Sequence, residues 1–221
     1  MTTVHPLRRV ALLCGLAVLA APAIAQDAYP SKPITIVVGY PPGGSTDLTA
    51  RTVATELGNK LGVPVVIENL GGAGGAIGAQ KVANAAPDGY TLLVGANNEI
   101  AINKLVTKKV KYDIKDFTAI GLIASQPLVL VASTGAGVKN MAEFTQKVSK
   151  NPGKFSYGSS GVGTALHLAG EAVKEQGKLF MTHIPYRGVA PLTSDLMGNN
   201  LEYGVFVLSS GLPHIKSGKV I

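Results

Sequence analysis

Ile34-Thr35-Ile36-Val37-Val38-Gly39-Tyr40-Pro41-Pro42-Gly43-Gly44-Ser45-Thr46-Asp47 sets the fold class. Its first five residues are all β-branched and show no polar alternation, the pattern of a strand buried on both faces in a parallel sheet. The Pro-Pro-Gly-Gly that follows cannot be helix. Ala50, Val53, Ala54, Leu57 and Leu61 then recur at helical spacing, with Ser45, Thr46 or Asp47 available as N-cap and Gly62 as the stop. Val65-Val66-Ile67 reads as a second strand. Gly71 to Gly78 bends into another helix ending near Asn84, Pro87-Asp88-Gly89 turns, and Thr91 to Val94 reads as a third strand. Strand and helix alternate with short turns, which is the signature of a parallel α/β sheet.

A second unit starts around Leu128-Val129-Leu130-Val131. It continues through a helix near Met141–Ser149, a strand at Phe155-Ser156-Tyr157 and the turn Gly158 to Gly163. The next helix carries Leu166, Ala169 and Val173 on one face and ends at Gly177. A strand over Phe180–Ile184, a short helix from Pro191 and a strand over Leu201–Val207 complete the pattern, whereas Val207 to Ile221 shows no clear closing element. The expected organisation is a leader over 1–25, a first lobe over 26–124 and a second over 125–221.

The leader is read from order as well as composition. Arg8-Arg9 precede the apolar run Val10–Leu19, which is too short to span a bilayer, and Ala23-Ile24-Ala25 is an A-x-A cleavage site. The expected mature chain is an exported protein, soluble outside the cytoplasm, beginning at Gln26. It keeps 18 basic against 13 acidic residues, a net +5 compared with +7 for all 221 residues. The lysines are scattered rather than striped, so the excess suits small anions and does not favour nucleic acid. The sole cysteine, Cys14, lies in the leader, which leaves the mature chain no thiolate nucleophile, disulfide or cysteine metal site. Trp is absent and aromatics are 5%, which argues against a sugar-stacking surface.

Both units repeat one device: a buried strand, a glycine turn with small hydroxyl residues, then a helix N-terminus. In the first it is Pro42-Gly43-Gly44-Ser45-Thr46-Asp47, in the second Ser159-Ser160-Gly161-Val162-Gly163-Thr164. Converging amides and a helix end can cradle a carboxylate or phosphate without a lysine. Ordinary αβ connections also need glycines and caps, so the pattern alone leaves both readings open. Gly72-Ala73-Gly74-Gly75-Ala76-Ile77-Gly78 departs from the dinucleotide fingerprint in spacing and follows the second strand; close strand–helix packing explains its glycines better. For hydrolysis, Ser159 or Ser160 would need a histidine base, but the G-x-S-x-G elbow is absent and His167 falls off the apolar helix stripe. No spacing suggests a metal, and no cofactor is implied.

The chain resembles the receptors of the tripartite tricarboxylate transporters, the Bug-type extracytoplasmic solute-binding proteins, from Tyr29 to about Ile221. The resemblance rests on Tyr29-Pro30-Ser31-Lys32-Pro33-Ile34, Pro41 to Asp47, Gly78-Ala79 with Ala86 to Leu93, and Tyr112-Asp113 with Asp116-Phe117. Ser159 to Thr164 with His167 to Glu171, Pro185-Tyr186-Arg187-Gly188 and Leu212-Pro213-His214-Ile215 extend it. It implies an α/β fold of the type II periplasmic-binding-protein kind, with two lobes of mostly parallel sheets, here with the first lobe incomplete. It also implies a small carboxylate ligand and delivery to the membrane permease subunits of a tripartite tricarboxylate-type transporter. Carried over by position, the ligand lies between Tyr40 with Gly44, Ser45 and Thr46, and Ser160, Gly161, Val162, Gly163 and Thr164; the Ala96-Asn97-Asn98 loop, with Asn97 as its ligand-binding residue, also faces the cleft. Amino-acid binders of the family place an Asp in the segment matching Leu201–Val207, where this chain aligns Phe206, so the resemblance implies a plain carboxylate with an apolar or aromatic body. Family members are about a hundred residues longer, which implies loosened lobes, self-association and weakened affinity here. The alternatives are an exported serine hydrolase and a sensory module signalling to a membrane kinase.

Overall fold

The computed structural model describes residues 28–108 and 110–221, so the expected leader lies outside the described residues. In the first lobe β1 (Ile34–Val38) lies between β2 (Val65–Asn69) and β3 (Thr91–Val94), parallel to both, with Ile36 opposite Ile67 and Leu92. Helix α1 (Ser45–Leu61) follows β1 and α2 (Ala76–Ala83) follows the glycine bend. Because side chains alternate along a strand, Ile36, Val38 and Val94 pack on Ala50 and Ala54 of α1, while Leu93 joins Ala76 and Ala79 of α2. Small helix residues let both helices sit close on a sheet buried from both sides.

Gly62 ends α1 in the left-handed conformation, φ 70°, as the sequence predicts. The start of α1 differs from the expectation. Its N-cap is Gly44, with no side-chain cap, and Asp47 sits inside the first turn with 1% exposure. The Asp47 carboxylate accepts from Gly43 N–H (2.9 Å), Asn69 Nδ2 (2.9 Å) and Arg51 Nε (3.0 Å). Burial alone would raise its pKa, but the bonds from Arg51, Gly43 and Asn69 outweigh burial and hold it below the ordinary carboxylate value. Asp47 therefore ties the β1–α1 loop to the end of β2 instead of capping its helix.

After β3 the chain makes a wide π-type turn, Asn98–Ile102, continues as the short helix α3 (Asn103–Val106) and crosses to the second lobe. There β4 (Leu128–Ala132), β5 (Ser156–Ser159), β6 (Thr182–Pro185) and β7 (Tyr203–Val207) form one sheet in the order β4-β7-β5-β6. β5 is parallel to β6 and β7, whereas β4 is antiparallel to β7. Helices α4 (Met141–Ser149), α5 (Ala165–Gly177), α6 (Val189–Met197) and α7 (Leu208–Lys216) cover it. Tyr203 and Val205 of β7 pack with Phe144, Val148, Tyr157 and Leu166, and the Phe144 and Tyr203 rings meet edge to face at 4.8 Å. Phe206 points to the other face, into Val131, Leu192, Leu196, Leu201 and Val220. Residues 32–221 form one compact unit containing both sheets.

Two sequence expectations need correction here. Helix α6 starts at Val189, with Gly188 as N-cap, so Pro191 falls within its first turn, where a missing N–H costs nothing. The segment after Val207 does have a closing element: α7, despite Pro213 inside it, followed by an antiparallel bridge of Val220 to Ser133. Leu192 is fully buried between α6 and the sheet. Leu192→Ala should lower stability by about 2–5 kcal/mol, seen as a lower urea midpoint with an unchanged slope; an unchanged midpoint would contradict this packing.

Candidate functional site

A cleft of about 560 Å³ opens where the carboxyl ends of the β1 and β3 strands meet the second lobe. From the first lobe it takes Tyr40, Gly44, Ser45, Thr46, Asn97 and Asn98, and from the second Ser160, Ala165, Leu166, Val189 and Val207. The crossover contributes Leu122, Ile123, Ser125 and Gln126. No Lys, Arg, His, Asp or Glu lines it among the described residues. Its polar groups are hydroxyls, carboxamides and main chain.

At the first-lobe wall the first intrahelical bond of α1 runs from Leu48 N–H to Gly44 O (3.0 Å), and no side chain caps the preceding amides. The helix end with Ser45 and Thr46 thus presents partial positive charge to the cleft. The Tyr40 carbonyl accepts from Asn69 Nδ2 (3.0 Å), and the Tyr40 hydroxyl accepts from Asn98 Nδ2 (2.6 Å) and donates towards Gly74 O (3.1 Å). Burial first, and Glu99 beside it, push the Tyr40 hydroxyl well above its ordinary pKa, so it stays a neutral donor.

The second-lobe wall is built differently from the expectation. Ser160 lines the cleft, but Gly161, Val162, Gly163 and Thr164 do not; the adjoining lining residues are Ala165 and Leu166. Thr164 is fully buried as the N-cap of α5: its Oγ1 donates to Gly161 O (2.8 Å) and accepts from His167 N–H (3.3 Å). The Gly163 N–H is taken by His167 Nδ1 (3.1 Å), and Ala165 N–H donates to Asn98 Oδ1 (2.7 Å) across the lobes. Val162 is 69% exposed. The turn's own side chains and Asn98 therefore occupy much of this helix end. Phe206 does not line the cleft either: it is 2% exposed in the core, and its neighbour Val207 takes the cleft position. A one-residue slip moves a strand side chain to the opposite face.

The serine–histidine arrangement needed for hydrolysis exists but is sealed. Ser159 Oγ lies 2.7 Å from His183 Nε2, and His183 stacks on His167 at 4.0 Å. Ser159 is 0% exposed, and its Oγ also accepts from Gly161 N–H (3.2 Å). Burial, with His167 nearby, pushes His183 down to about 4, which makes it a poor base at neutral pH. The pair closes the β5–α5 turn and does not face the cleft.

Two α/β lobes meeting at strand ends around an uncharged cleft define the architecture of a periplasmic-type binding protein. Residues 49–221 match the tripartite tricarboxylate transporter family receptor, and the chain belongs to that family. It is 38% identical over 213 residues to a UPF0065 protein of Bordetella pertussis, covering 96% of this chain and 65% of that protein. A solved structure of a periplasmic transporter is 42% identical, with a TM-score of 0.85 over 87% of this chain and 65% of that one. R. palustris Rpa4515 with adipate is 32% identical, with a TM-score of 0.85 over 87% of this chain and 64% of that one. The chain thus spans about 65% of the length of the curated relative.

Glu99 is a candidate that the sequence pattern does not reveal, whereas Asn98 belongs to the Ala96-Asn97-Asn98 loop that the resemblance places at the cleft and that lines it here. Asn98 is 4% exposed and bridges Tyr40 to α5. Asn98→Ala strips Tyr40 of a donor and Ala165 N–H of its acceptor. The expected cost is about 1–3 kcal/mol, measured as a drop in the thermal unfolding midpoint; a stability equal to wild type would show that the bridge contributes nothing.

Proposed function

We propose that this chain is a periplasmic receptor that captures a small carboxylate in the interlobe cleft and hands it to the permease subunits of a tripartite tricarboxylate-type transporter. The observation that carries this reading is the uncapped N-terminus of α1, opening with Ser45 and Thr46 onto a cleft without a fixed charge. An anion there is held by main-chain and hydroxyl donors, each bond to a charged group contributing about 1.5–3 kcal/mol. The relative solved with adipate supports a carboxylate as the ligand class. The apolar side chains of Leu122, Ile123, Val189 and Val207 favour a ligand with an apolar body. An ammonium would be desolvated without a carboxylate partner, which disfavours amino acids. Ligand binding without chemistry fits the site, since the Ser159–His183 pair is shut away from it.

Titration calorimetry of adipate, longer monocarboxylates, aspartate and glutamate tests the ligand class. Plain carboxylates should bind best, and Ser45→Ala should weaken them by roughly ten- to a hundredfold. Gly163→Val should weaken them more, because Gly163 has φ 77° and an added Cβ would come within 2.6 Å of Val106 on the facing lobe. Tightest binding of the acidic amino acids would overturn this ligand class. A pull-down from membranes that returned a kinase instead of a permease would favour the sensory reading.

A further inference from the structure

Glu99 is a carboxyl group buried directly behind the cleft wall. It is 1% exposed, and among the described residues no ion pair reaches it. Its Oε2 accepts from Ala96 N–H (3.1 Å) and lies 3.4 Å from the Tyr40 hydroxyl, while Oε1 is buried with no hydrogen-bond partner. The space it fills exists because residues 39 and 75 are glycines: a Cβ on Gly75 would sit 2.5 Å from Oε1, and one on Gly39 3.1 Å from it. The two hydrogen-bonding neighbours of the carboxyl, Ala96 and Tyr40, are also cleft groups, as is Asn98, which donates to the Tyr40 hydroxyl. One residue's thickness separates Glu99 from whatever occupies it.

We propose that Glu99 couples carboxylate binding to proton uptake: an anion entering the cleft is accommodated by protonation of the buried Glu99 carboxyl. The proposal rests on the carboxylate-receptor reading. Two negative charges separated by a thin, dry wall repel strongly, and a bound ligand excludes the water that would screen them. One proton taken from solvent onto the Glu99 carboxylate removes that repulsion and leaves the ligand fully ionised. The hydrogen bonds can follow. The Tyr40 hydroxyl has a single proton, which turns to Glu99 Oε2 when the carboxyl is ionised and to Gly74 O when it is protonated; Asn98 Nδ2 donates to the Tyr40 oxygen in both states. Gly74 O keeps a donor throughout from Asn103 Nδ2 (3.0 Å).

The titratable groups facing Glu99 are Tyr40, from the loop after β1, and Tyr112, from the segment after α3, whose hydroxyl donates to the Glu99 carbonyl (2.8 Å). Both are raised by burial and are neutral across the working pH range. Gly39, Gly75 of the glycine bend and the Gly95–Ala96 main chain complete its surroundings without adding a titratable group. Burial pushes the Glu99 carboxyl from 4.5 to about 7, which places its titration where a nearby anion can shift it further up. Below the free-protein pKa the group is already protonated, and binding is independent of pH. Above it, each complex must take up a proton, so affinity falls with rising pH until the pKa of the complex is passed.

The experiment is titration calorimetry with adipate between about pH 6.5 and 8.5, in buffers of different ionisation enthalpy, on the wild type and Glu99→Gln. The wild type should take up a proton on binding above neutrality and lose up to tenfold in affinity per pH unit. Glu99→Gln, which mimics the protonated acid, should bind with a flat profile near the wild type's value at the acid end. A flat wild-type profile, or a slope retained in Glu99→Gln, overturns the coupling and leaves the receptor reading intact. Absence of binding by every carboxylate of the panel at every pH overturns the receptor reading and the coupling with it. A measurement independent of the variant's folding is the ¹³Cδ resonance of Glu99 in the wild type. Titration near neutrality that moves upward with adipate is expected; titration in the ordinary carboxylate range, with and without adipate, overturns the proposal.

Discussion

The Asn98 carboxamide holds together parts of the chain that lie far apart in sequence. Its nitrogen donates to the Tyr40 hydroxyl at the end of the first strand, and its oxygen accepts from Ala165 N–H at the start of α5 in the other lobe. Both bonds are short and buried, where an unpaired partner is costly. The π-type turn from Asn98 to Ile102 sets the side chain between the lobes and turns the next residue, Glu99, into the first lobe. The shape of the cleft and the orientation of its tyrosine therefore follow from how this one turn is wound. Such wide turns recur at functional positions because they re-aim side chains that a regular helix would stack on one face.

Most of the fold was legible because it rests on local signals. The β-branched run 34–38, the Gly62 stop and the helix over Met141–Ser149 are found where the periodicity puts them. The misses share a different cause, in that tertiary partners decided them. Asp47 looks like a cap in sequence, but Asn69 and Arg51 engage it from outside the turn. Pro213 and Gly211 hide α7, which is held by packing against β4 and β7 and not by propensity. The direction of β4 is set by its pairing with β7, a strand some seventy residues later, which no local pattern encodes. Phe206 and Val207 are both apolar, so only the register of β7 tells core from cleft.

The site was half legible for the same reason. Glycine turns before helices mark both walls, and Tyr40, Ser45, Thr46 and Ser160 lie on the cleft. What the pattern could not show is which amides are already used. At α1 no side chain caps the helix, whereas at α5 the turn is closed by Thr164, His167 and Asn98. Two turns of matching composition thus do unequal work. The Ser159–His183 pair makes a related point: a short contact between a hydroxyl and an imidazole is a structural strut when the hydroxyl is fully buried and neither group lines the cleft.

The uncharged lining of the cleft also shapes how a ligand arrives and leaves. A helix end and a few hydroxyls act through dipoles, whose field falls off within a turn or so of helix, whereas a lysine or arginine would project a longer-ranged monopole. A cleft of this kind consequently offers an approaching anion little long-range steering from the site itself. Dissociation breaks no ion pair. Dipolar forces of that kind respond weakly to ionic strength, because they carry no net charge for salt to screen.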